Sequence, residues 1–445
     1  DEIPFEVPEG WEWCRVRDIA AVKGGKRLPK GVGFSPCRTA HAYIRVTDMK
    51  NHSINTDDLK YISEEVFLQI KNYTISKDDL YVTIAGTIGV TGEVPTELDG
   101  MNLTENAVKI TNIQINKTYL CLIIQSEFVQ QQFQDKTHQV AMPKLALERI
   151  LSTLIPVCTI TTQSAMVSKF VEMDSLINQI REEKEILAET VSLTKSKILD
   201  LAIRGQLVPQ DPNDEPASVL LERIRAEKEE LIKAGKIKRD KKESIIFRGE
   251  DNSYYQQTGT LIENINDWNL DDIPINWELC CLGEICDYGN CVNVDTKDID
   301  EEAWVLDLED IEKDSGKVIH KIRKYERDSS STKHLFKKGQ VLYSKLRPYL
   351  NKVVLADEEG FCTSEILPLN FSNVVEPQYA LYYLMSPTFL KYANRCSYGV
   401  KMPRLGTADG RKAVFPLPPF EEQRRISQHI SKIFIEIDNI SNMLL

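Results

Sequence analysis

The sequence lacks cysteines at metal-binding spacing, a signal-peptide pattern and any long apolar run. Its ten cysteines are scattered, apart from the adjacent Cys280 and Cys281, without the Cys-x-x-Cys spacing of a metal framework. This pattern favours reduced thiols in a cytoplasmic protein. No apolar stretch is long enough to span a bilayer, and residues 1–4 lack the basic-then-apolar pattern of a secretory leader.

The sequence also lacks the common motifs of catalysis. It contains no phosphate-binding loop, no dinucleotide fingerprint after a strand, no His-Glu-x-x-His and no Gly-x-Ser-x-Gly. The Asn/Asp-Pro-Pro-aromatic motif of amino-methyltransferases is absent too, since Leu417 precedes Pro418-Pro419-Phe420. These absences favour a binding protein over an enzyme.

Length and charge set further bounds. A chain of 445 residues with 42% hydrophobic and 27% charged residues is typical of two or three globular domains. The net charge of −12 argues against a free-standing DNA binder, because phosphate affinity comes from Lys and Arg. A local basic face, or basic partner subunits, could still supply the attraction.

The most informative feature is an internal duplication. Its matching residues are Trp11, Val16, Asp18 and Ile19 with Trp277, Leu282, Glu284 and Ile285; Met-Pro-Lys-Leu at 142–145 with Met-Pro-Arg-Leu at 402–405; and Gln163 and Phe170 with Gln423 and Ile430. The offset drifts from about 266 (277 minus 11) to about 260 (402 minus 142), which suits a duplicated domain plus its connector. Two similar modules in a pseudo-twofold chain suit a two-part target, of which DNA is the commonest.

Each repeat is predicted to be a mixed α/β (α+β) domain. We assign residues 1–160 to the first module and residues 273–420 to the second. Short β-branched or aromatic runs predict strands in both modules, at 43–46, 80–84, 107–110, 304–306, 341–343 and 365–367.

Between the modules, residues 162–204 contain neither Gly nor Pro and predict a helix of about 65 Å, followed by Gly205 as its terminator. Apolar residues step by threes and fours along it, which predicts a seam against a partner helix. The seam residues are Met166, Phe170, Met173, Ile177, Ile180, Leu187, Val191, Ile198 and Leu201. Such a helix is expected to act as a rod paired with another helix.

The remaining segments complete the predicted organisation. Within the central spacer, residues 161–235, Asp214 is expected to cap a second helix that runs to Ala234. Residues 236–272 are assigned to a linker, basic over 236–242 and loose over 244–272. The C-terminal spacer helix, residues 421–445, carries Ile430, Ile433 and Ile437 and is much shorter than the first rod, which suggests truncation or natural shortening.

Basic residues supply the candidate DNA contacts. Lys23, Lys26, Arg27 and Lys30 lie in a Gly-rich loop without acidic residues, which could reach phosphates or could simply be solvated. The equivalent loop of the second module, residues 289–293, has lost its charge. There Lys345, Arg347 and Lys401 are the candidates, although packing explains the first two equally well. Lys144 and Arg404 recur at one repeat position, as DNA contacts or as a shared structural ion pair.

Four segments resemble the specificity subunit of type I restriction-modification systems. Residues 3–13 and 273–278 resemble the start of that family's target recognition domains, and residues 197–211 resemble its central segment. Residues 415–423 resemble the approach to one of its helices. The first module departs from the pattern, since residues 155–160 have lost the double proline.

The resemblance implies that each recognition domain reads one half of a bipartite double-stranded DNA site. The resemblance also implies that the helices pair antiparallel and set the spacing between the two domains. They would dock DNA adenine methyltransferase subunits, which carry S-adenosylmethionine. Restriction subunits using ATP and Mg could join them, and this chain would hold no cofactor or metal and no catalytic residue. Two alternatives remain: a coiled-coil scaffold that binds proteins, and a single-chain nuclease using carboxylates such as Glu105 near Lys109.

Overall fold

The computed structural model of the chain describes residues 4–134, 144–235, 243–265, 268, 270, 273–327 and 331–444. The chain divides into two compact units, residues 1–180 and 181–445. Among the described residues, no helix combines the length and the apolar character needed to cross a membrane.

The first unit is built from short strands and short helices. Its strands are β1 (Glu12–Arg15), β2 (Ala21–Gly24), β3 (His41–Ile44), β4 (Met49–Lys50), β5 (Ser53–Ile54), β6 (Lys60–Ile62), β7 (Thr74–Ile75), β8 (Leu80–Thr83), β9 (Thr91–Glu93), β10 (Met101–Leu103), β11 (Ala107–Thr111) and β12 (Leu154–Val157). Its helices are α1 (Val16–Ile19), α2 (Glu64–Ile70), α3 (Lys117–Gln125), α4 (Glu127–Gln134) and α5 (Leu147–Leu151), and α6 (Ile160–Ile203) continues into the second unit. Two four-stranded sheets form, in the orders β6-β3-β10-β7 and β2-β11-β8-β9.

The second unit repeats this plan. Its strands are β13 (Ser244–Arg248), β14 (Tyr254–Thr258), β15 (Leu261–Asn264), β16 (Glu278–Cys281), β17 (Val292–Val294), β18 (Trp304–Leu306), β19 (Ile322–Arg323), β20 (Lys333–Phe336), β21 (Val341–Ser344), β22 (Val353–Leu355), β23 (Gly360–Thr363), β24 (Ile366–Leu369) and β25 (Val414–Leu417). Its helices are α7 (Ala217–Lys233), α8 (Leu282–Ile285), α9 (Pro377–Met385), α10 (Pro387–Cys396), α11 (Thr407–Lys412) and α12 (Phe420–Leu444). The larger sheets have the orders β17-β20-β23-β18-β19 and β22-β21-β24.

The duplication is confirmed element by element. Helices α3 and α9 begin at Lys117 and Pro377, an offset of 260 (377 minus 117), and strands β12 and β25 begin at the same offset. Strands β1 and β16 begin at Glu12 and Glu278, an offset of 266 (278 minus 12). In both modules the first and last strands pair antiparallel, and one parallel pair, β3–β10 or β18–β23, lies in the sheet. The mixed α/β fold with two repeated modules is therefore as the sequence predicts.

A buried glutamine joins each module to the helix that follows it. The side-chain amide of Gln163 donates to the Cys158 carbonyl at 2.7 Å and accepts from the Asn116 backbone N–H at 2.9 Å. Gln423 donates to the carbonyls of Val374 and Pro418 and accepts from the backbone N–H of Glu376. Both glutamines are fully buried. Since these bonds satisfy backbone groups that water cannot reach, they fix where α6 and α12 start.

The long helix is confirmed. Helix α6 contains 44 residues, about 66 Å at 1.5 Å per residue. It ends at Gly205, whose φ of +70° is left-handed, and the backbone N–H of Gln206 reaches back to the Leu201 carbonyl at 2.9 Å. This arrangement is typical of a glycine-terminated helix.

Within the second unit, the later part of α6 packs antiparallel against α12. Lys195 pairs with Asp438, whereas Gln210, beyond the end of α6, bonds to Glu422 near the start of α12. Fully buried side chains at this seam are Leu199, Ala202 and Ile203 of α6 with Ile426 and Ile430 of α12.

The predicted seam is displaced from the observed one. The predicted residues Leu187, Val191, Ile198 and Leu201, with Ile433 and Ile437 of α12, are half-buried, while Ile430 is buried. Ile177 and Ile180 are 46% and 53% exposed. All residues from 168 to 186 are exposed, because α12 ends at Leu444 and its contacts with α6 begin near Lys195. Farther along, a helix of 3.6 residues per turn drifts from a strict seven-residue repeat, so the buried positions shift to neighbours such as Leu199.

Two predictions for the connector are wrong. Asp214 does not cap α7, which begins after Pro216; its carboxylate binds Arg425 of α12 at 2.5 Å instead. Residues 244–264 are not a loose connector but a three-stranded antiparallel sheet, β13-β14-β15. Ser244 and Ile246 are buried while Ile245 and Phe247 are exposed, which is the alternation of a half-buried strand. Residues 236–242, predicted to be a basic linker, lie outside the described residues.

Candidate nucleic-acid interface

In the first module, the basic loop follows strand β2 and crosses the end of β10. The Gly25 N–H donates to the Ala107 carbonyl at 3.1 Å, and the Lys26 N–H donates to the Leu103 carbonyl at 2.9 Å. A Cβ at position 25 would overlap the carbonyl oxygens of Leu103 and Thr104, so only glycine fits. The loop is therefore held by its backbone while its side chains stay available.

Glu105 lies at the centre of this site. Its carboxylate accepts a hydrogen bond from Arg27 Nε at 2.7 Å and further bonds from the hydroxyls of Thr104 and Tyr43. Burial alone would raise the pKa of Glu105, but the hydrogen bonds, led by that of Arg27, hold it below its usual value. The Arg27 side chain is 79% exposed, so its guanidinium extends from the carboxylate into solvent.

Of the other predicted cations, Lys144 contacts Glu105, and the remaining three are exposed lysines of the same strand and loop. Lys144 Nζ donates to the Glu105 carbonyl at 3.3 Å, and Lys26 Nζ lies 5.4 Å from the centre of the Tyr73 ring. Lys23 and Lys30 are exposed on the strand and loop nearby. The loop lacks an acid in its own sequence, but the fold brings Glu105 against it. Met142 and Pro143, part of the repeated tetrapeptide, lie outside the described residues.

In the second module, Glu365 occupies the equivalent position and binds Arg404. The guanidinium is bidentate, with Nη2–Oε1 at 2.7 Å and Nε–Oε2 at 3.0 Å. This hydrogen-bonded contact lowers the pKa of Glu365. Arg404 Nη1 also donates to the Met402 carbonyl at 3.0 Å. Arg404 is thus engaged within the protein, and its prediction as a DNA contact remains untested.

Lys345 and Arg347 follow strand β21 beside this pair. The Leu405 N–H donates to the Lys345 carbonyl at 3.0 Å, and the Arg347 N–H donates to the Pro403 carbonyl at 2.7 Å. Arg347 has a left-handed backbone, with φ of +49°, which is strained for a residue with a side chain. Its Nε is buried and has no hydrogen-bond partner among the described residues. Such a strained, incompletely bonded arginine is typical of a binding site.

Residues 398–404 form a hairpin that projects from this site. Tyr398 and Arg404 exchange two backbone hydrogen bonds, at 3.1 and 3.0 Å. Lys401 is exposed in the loop between them. The structure therefore brings Lys345, Arg347, Lys401 and Arg404 into one neighbourhood, although they are up to 59 residues apart (404 minus 345).

Neither the role of the two glutamates in holding the arginines nor the exposed hairpin was predicted; Glu105 was named only as a carboxylate of the alternative nuclease. One signal could have revealed the glutamates: Thr104-Glu105 and Ser364-Glu365 recur at the same offset as the later repeats, 260 (365 minus 105). Basic residues are the usual candidates for DNA contacts, whereas Glu105 and Glu365 are acidic and act by holding arginines in place. The hairpin had a signal as well, since it contains most of the repeated tetrapeptide at 402–405, but that repeat alone does not indicate a turn.

Asp438 of α12 connects the rod to the second module. It pairs with Lys195 of α6 and, at 2.7 Å, with Lys317 of the second module. Burial would raise the pKa of Asp438, but hydrogen bonds from both lysines lower it overall. Within the second unit, one carboxylate thus links α6, α12 and the recognition module.

Chemistry other than binding has little support from the geometry. Across the described residues, no three His, Cys, Asp or Glu side chains form a group that could hold a metal ion. Glu105 and Lys109, suggested for a nuclease, bind different partners: Lys109 pairs with Asp79 at 3.3 Å. The ten cysteines are free thiols, and burial raises the pKa of Cys281 to about 12.

Comparison with known proteins gives one consistent result. The family model described as Type I restriction modification DNA specificity domain matches residues 8–189 and 274–444, one match for each repeat. The specificity subunit of the type I restriction enzyme EcoAI from Escherichia coli is 30% identical over 260 residues, covering 56% of this chain and 40% of that protein. The EcoEI specificity subunit, also from Escherichia coli, is 31% identical over 256 residues, with the same coverage. The chain thus spans about 40% of the length of these curated relatives.

Solved structures share the fold. One chain, from a study of complex assembly and conformational transition of the type I R-M system, aligns over 99% of this chain and 94% of its own length, with a TM-score of 0.58 and 16% identity. The HsdS subunit from Thermoanaerobacter tengcongensis aligns over 99% of this chain and 93% of its own length, with a TM-score of 0.50 and 16% identity.

Proposed function

Because this chain belongs to the type I restriction-modification DNA specificity domain family, we propose that it is the sequence-recognition subunit of a DNA methyltransferase assembly. Each module reads one half of a bipartite site in double-stranded DNA. The two halves are separated by a gap of unread base pairs, whose length depends on the rod.

One observation carries this proposal: both modules build the same kind of site at the same repeat position. Glu105 with Arg27 and Glu365 with Arg404 each place an acid–arginine pair beside further cations. A bidentate or charge-assisted pair holds a guanidinium in a fixed direction, which base recognition requires. The residues that we assign to the first half-site are Lys23, Lys26, Arg27, Lys30 and Lys144, and those assigned to the second are Lys345, Arg347, Lys401 and Arg404.

The partners and cofactors follow from the same proposal. The rod helices dock DNA adenine methyltransferase subunits, which bring S-adenosylmethionine, and restriction subunits bring ATP and Mg where the system cleaves DNA. This chain is non-catalytic and acts on chromosomal DNA in the cytoplasm. Its net charge of −12 suits a subunit that binds DNA only inside an assembly, where basic partners add to the field.

The test is methylome sequencing of a methylation-free host that expresses this chain with its methyltransferase partner. We expect N6-methyladenine in a single interrupted, two-part motif. The methyltransferase expressed alone is the control and should leave no such motif.

Two outcomes would support the alternatives instead. A protein-binding scaffold predicts an assembly with no salt-sensitive DNA affinity, contrary to the counterion release expected for phosphate contacts. A single-chain nuclease predicts metal-dependent cleavage of DNA by the purified chain alone. Either result, with no motif in the methylome, would overturn the proposed function.

A further inference from the structure

The hairpin of the second module ends in an apolar apex. We call residues 399–403, between Tyr398 and Arg404, the hairpin tip. Val400 in the tip is fully exposed, at 103% of its reference area, and Met402 is 46% exposed. Tyr398, at the base of the hairpin, is 63% exposed. Large apolar side chains gathered at an exposed apex mark a contact surface rather than ordinary solvent-facing residues.

The tip is held firmly despite its exposure. Its ends are joined by the two Tyr398–Arg404 backbone bonds, and Gly399, with φ of +105°, allows the turn. From outside the hairpin, the Arg347 N–H binds the Pro403 carbonyl at 2.7 Å. The Arg404 guanidinium binds the Met402 carbonyl while it is anchored to Glu365. Because the loop is ordered before binding, little conformational entropy is lost when it makes a contact.

The surroundings of the tip are positively charged. Lys345, Arg347, Lys401 and Arg404 contribute four positive charges, against the carboxylates of Glu365 and of Asp409, which lies beside Gly406 at the base of the hairpin, in a chain whose net charge is −12. The hydrogen bond from Arg404, and to a smaller extent the charge of Lys345, lower the pKa of Glu365. A hairpin with an apolar tip and positively charged surroundings suits a partner that is negatively charged and also exposes an apolar group.

We propose that the hairpin tip enters the major groove of DNA and that Val400 contacts the methyl group of a thymine in the second half-site. This inference rests on the proposed function and deepens it. The major groove is about 12 Å wide and admits a two-stranded ribbon, and the thymine methyl is the apolar group on its floor. The neighbouring cations bind phosphates at the groove edges, while Arg404 holds the tip in place.

A protein partner fits these observations less well. The centre of a protein–protein interface is depleted of charge, whereas Val400 is directly followed by the exposed Lys401 and belongs to the hairpin that contacts Arg347. Phosphates on both sides of an apolar groove floor match this distribution. Docking of the tip on the methyltransferase subunit is nevertheless a distinct outcome of the test.

The first experiment compares three assemblies by methylome sequencing: wild type, Val400→Ala and Ile275→Ala. Ile275 is the matched control, because it is as fully exposed as Val400, at 101%, and lies outside the hairpin. We expect Val400→Ala to accept other bases at one or two adjacent positions of one half-site, with roughly tenfold lower discrimination there. The other half-site and the Ile275→Ala motif should match wild type.

The second experiment tests the methyl contact directly with the purified assembly. Duplexes carry the motif with each thymine of the second half-site replaced, one at a time, by deoxyuridine, which lacks only the methyl group. One replacement should weaken wild-type binding several-fold and leave Val400→Ala binding unchanged, because the variant has already lost the contact. Such non-additivity identifies two groups that touch.

The results that overturn the inference are specific. An unchanged motif for Val400→Ala, or independent effects of Val400→Ala and every deoxyuridine, would exclude the contact. Loss of the methyltransferase from the Val400→Ala assembly would assign the tip to protein docking. If the wild-type assembly itself produces no two-part motif, the proposed function fails, which is a separate result.

Discussion

Glu105 and Glu365 occupy the same position in the two modules, yet each binds an arginine from a different segment. Arg27 comes from the loop after β2, and Arg404 comes from the hairpin before α11. The duplicated fold therefore retains the acid and changes the source of the cation. Two modules that position their cations differently are suited to reading different bases on the same framework.

We predict that removing Arg27 affects only the first half-site. Arg27→Ala eliminates the exposed guanidinium held by Glu105, and Lys26→Ala removes its neighbour. Each variant should weaken binding of duplexes through the first half-site and reduce the slope of log affinity against log salt by about 1 if a phosphate contact is lost. Lys71→Ala removes an exposed charge elsewhere in the same unit and should leave affinity and slope unchanged. Equal methylation of all sites by the Arg27 variant would contradict the assignment.

The length of α6 should set the gap between half-sites. Inserting seven residues within 182–189 adds about 10 Å of helix, close to the rise of three base pairs. This segment precedes the part of α6 whose buried residues, from Leu199 on, pack against α12. We expect a longer gap and unchanged half-sites in the methylated motif. Replacing the same residues without changing their number is the control, and an unaltered gap after the insertion would rule out the spacing role.

The buried glutamines Gln163 and Gln423, which we call the glutamine clamp, should each stabilise the module to which they belong. Gln423→Ala leaves the Val374, Pro418 and Glu376 backbone groups without buried partners, and Gln163→Ala does the same to Cys158 and Asn116. We expect each to lower the free energy of unfolding by about 2–4 kcal/mol. Urea denaturation followed by circular dichroism measures this. The exposed Gln428→Ala should change it by less than about 0.5 kcal/mol, and a clamp variant no worse than this control would refute the role.

The seam between α6 and α12 allows a comparison within one helix. Ile430 is fully buried, whereas Ile435 is 61% exposed. Ile430→Ala should cost about 2–5 kcal/mol of unfolding free energy, because it leaves a cavity, and Ile435→Ala should cost little. Similar losses for the two variants in chemical denaturation would show that α12 does not pack as described.

Asp438 should make stability depend on pH in the acid range. Its folded-state pKa is below the ordinary 3.8, so the ion pairs with Lys195 and Lys317 contribute in full above the unfolded pKa. That contribution is lost as the pH falls from 3.8 through the lowered folded value. Asp438→Asn should be less stable than wild type at pH 7 and should converge with it in acid. A constant difference from pH 7 to the acid limit would disprove this linkage.

The sequence predicted the features that depend on local patterns, but not the contacts that the fold creates between distant residues. Local patterns were enough to predict the modules and the long helix. Duplicated residues such as Trp11 and Trp277 indicated the two modules, and the run without Gly or Pro before Gly205 indicated the helix. The pairing of Arg27 with Glu105 is set by the fold, across 78 residues (105 minus 27), and no local pattern indicates it. The sheet at 244–264 was missed although Ser244 and Ile246 alternate in burial with exposed residues. The sequence does not show this alternation, because Ile245, Ile246 and Phe247 are all apolar.

Each module meets its helix in the same way. Strand β12 ends at Val157 and α6 begins at Ile160, while β25 ends at Leu417 and α12 begins at Phe420, with one buried glutamine fixing each junction. Such a joint does not depend on the loops that face the ligand. A module could therefore be exchanged for one with other loops, and the chain would acquire a new target by substituting half of its recognition surface while the other half and the rod stayed as they were.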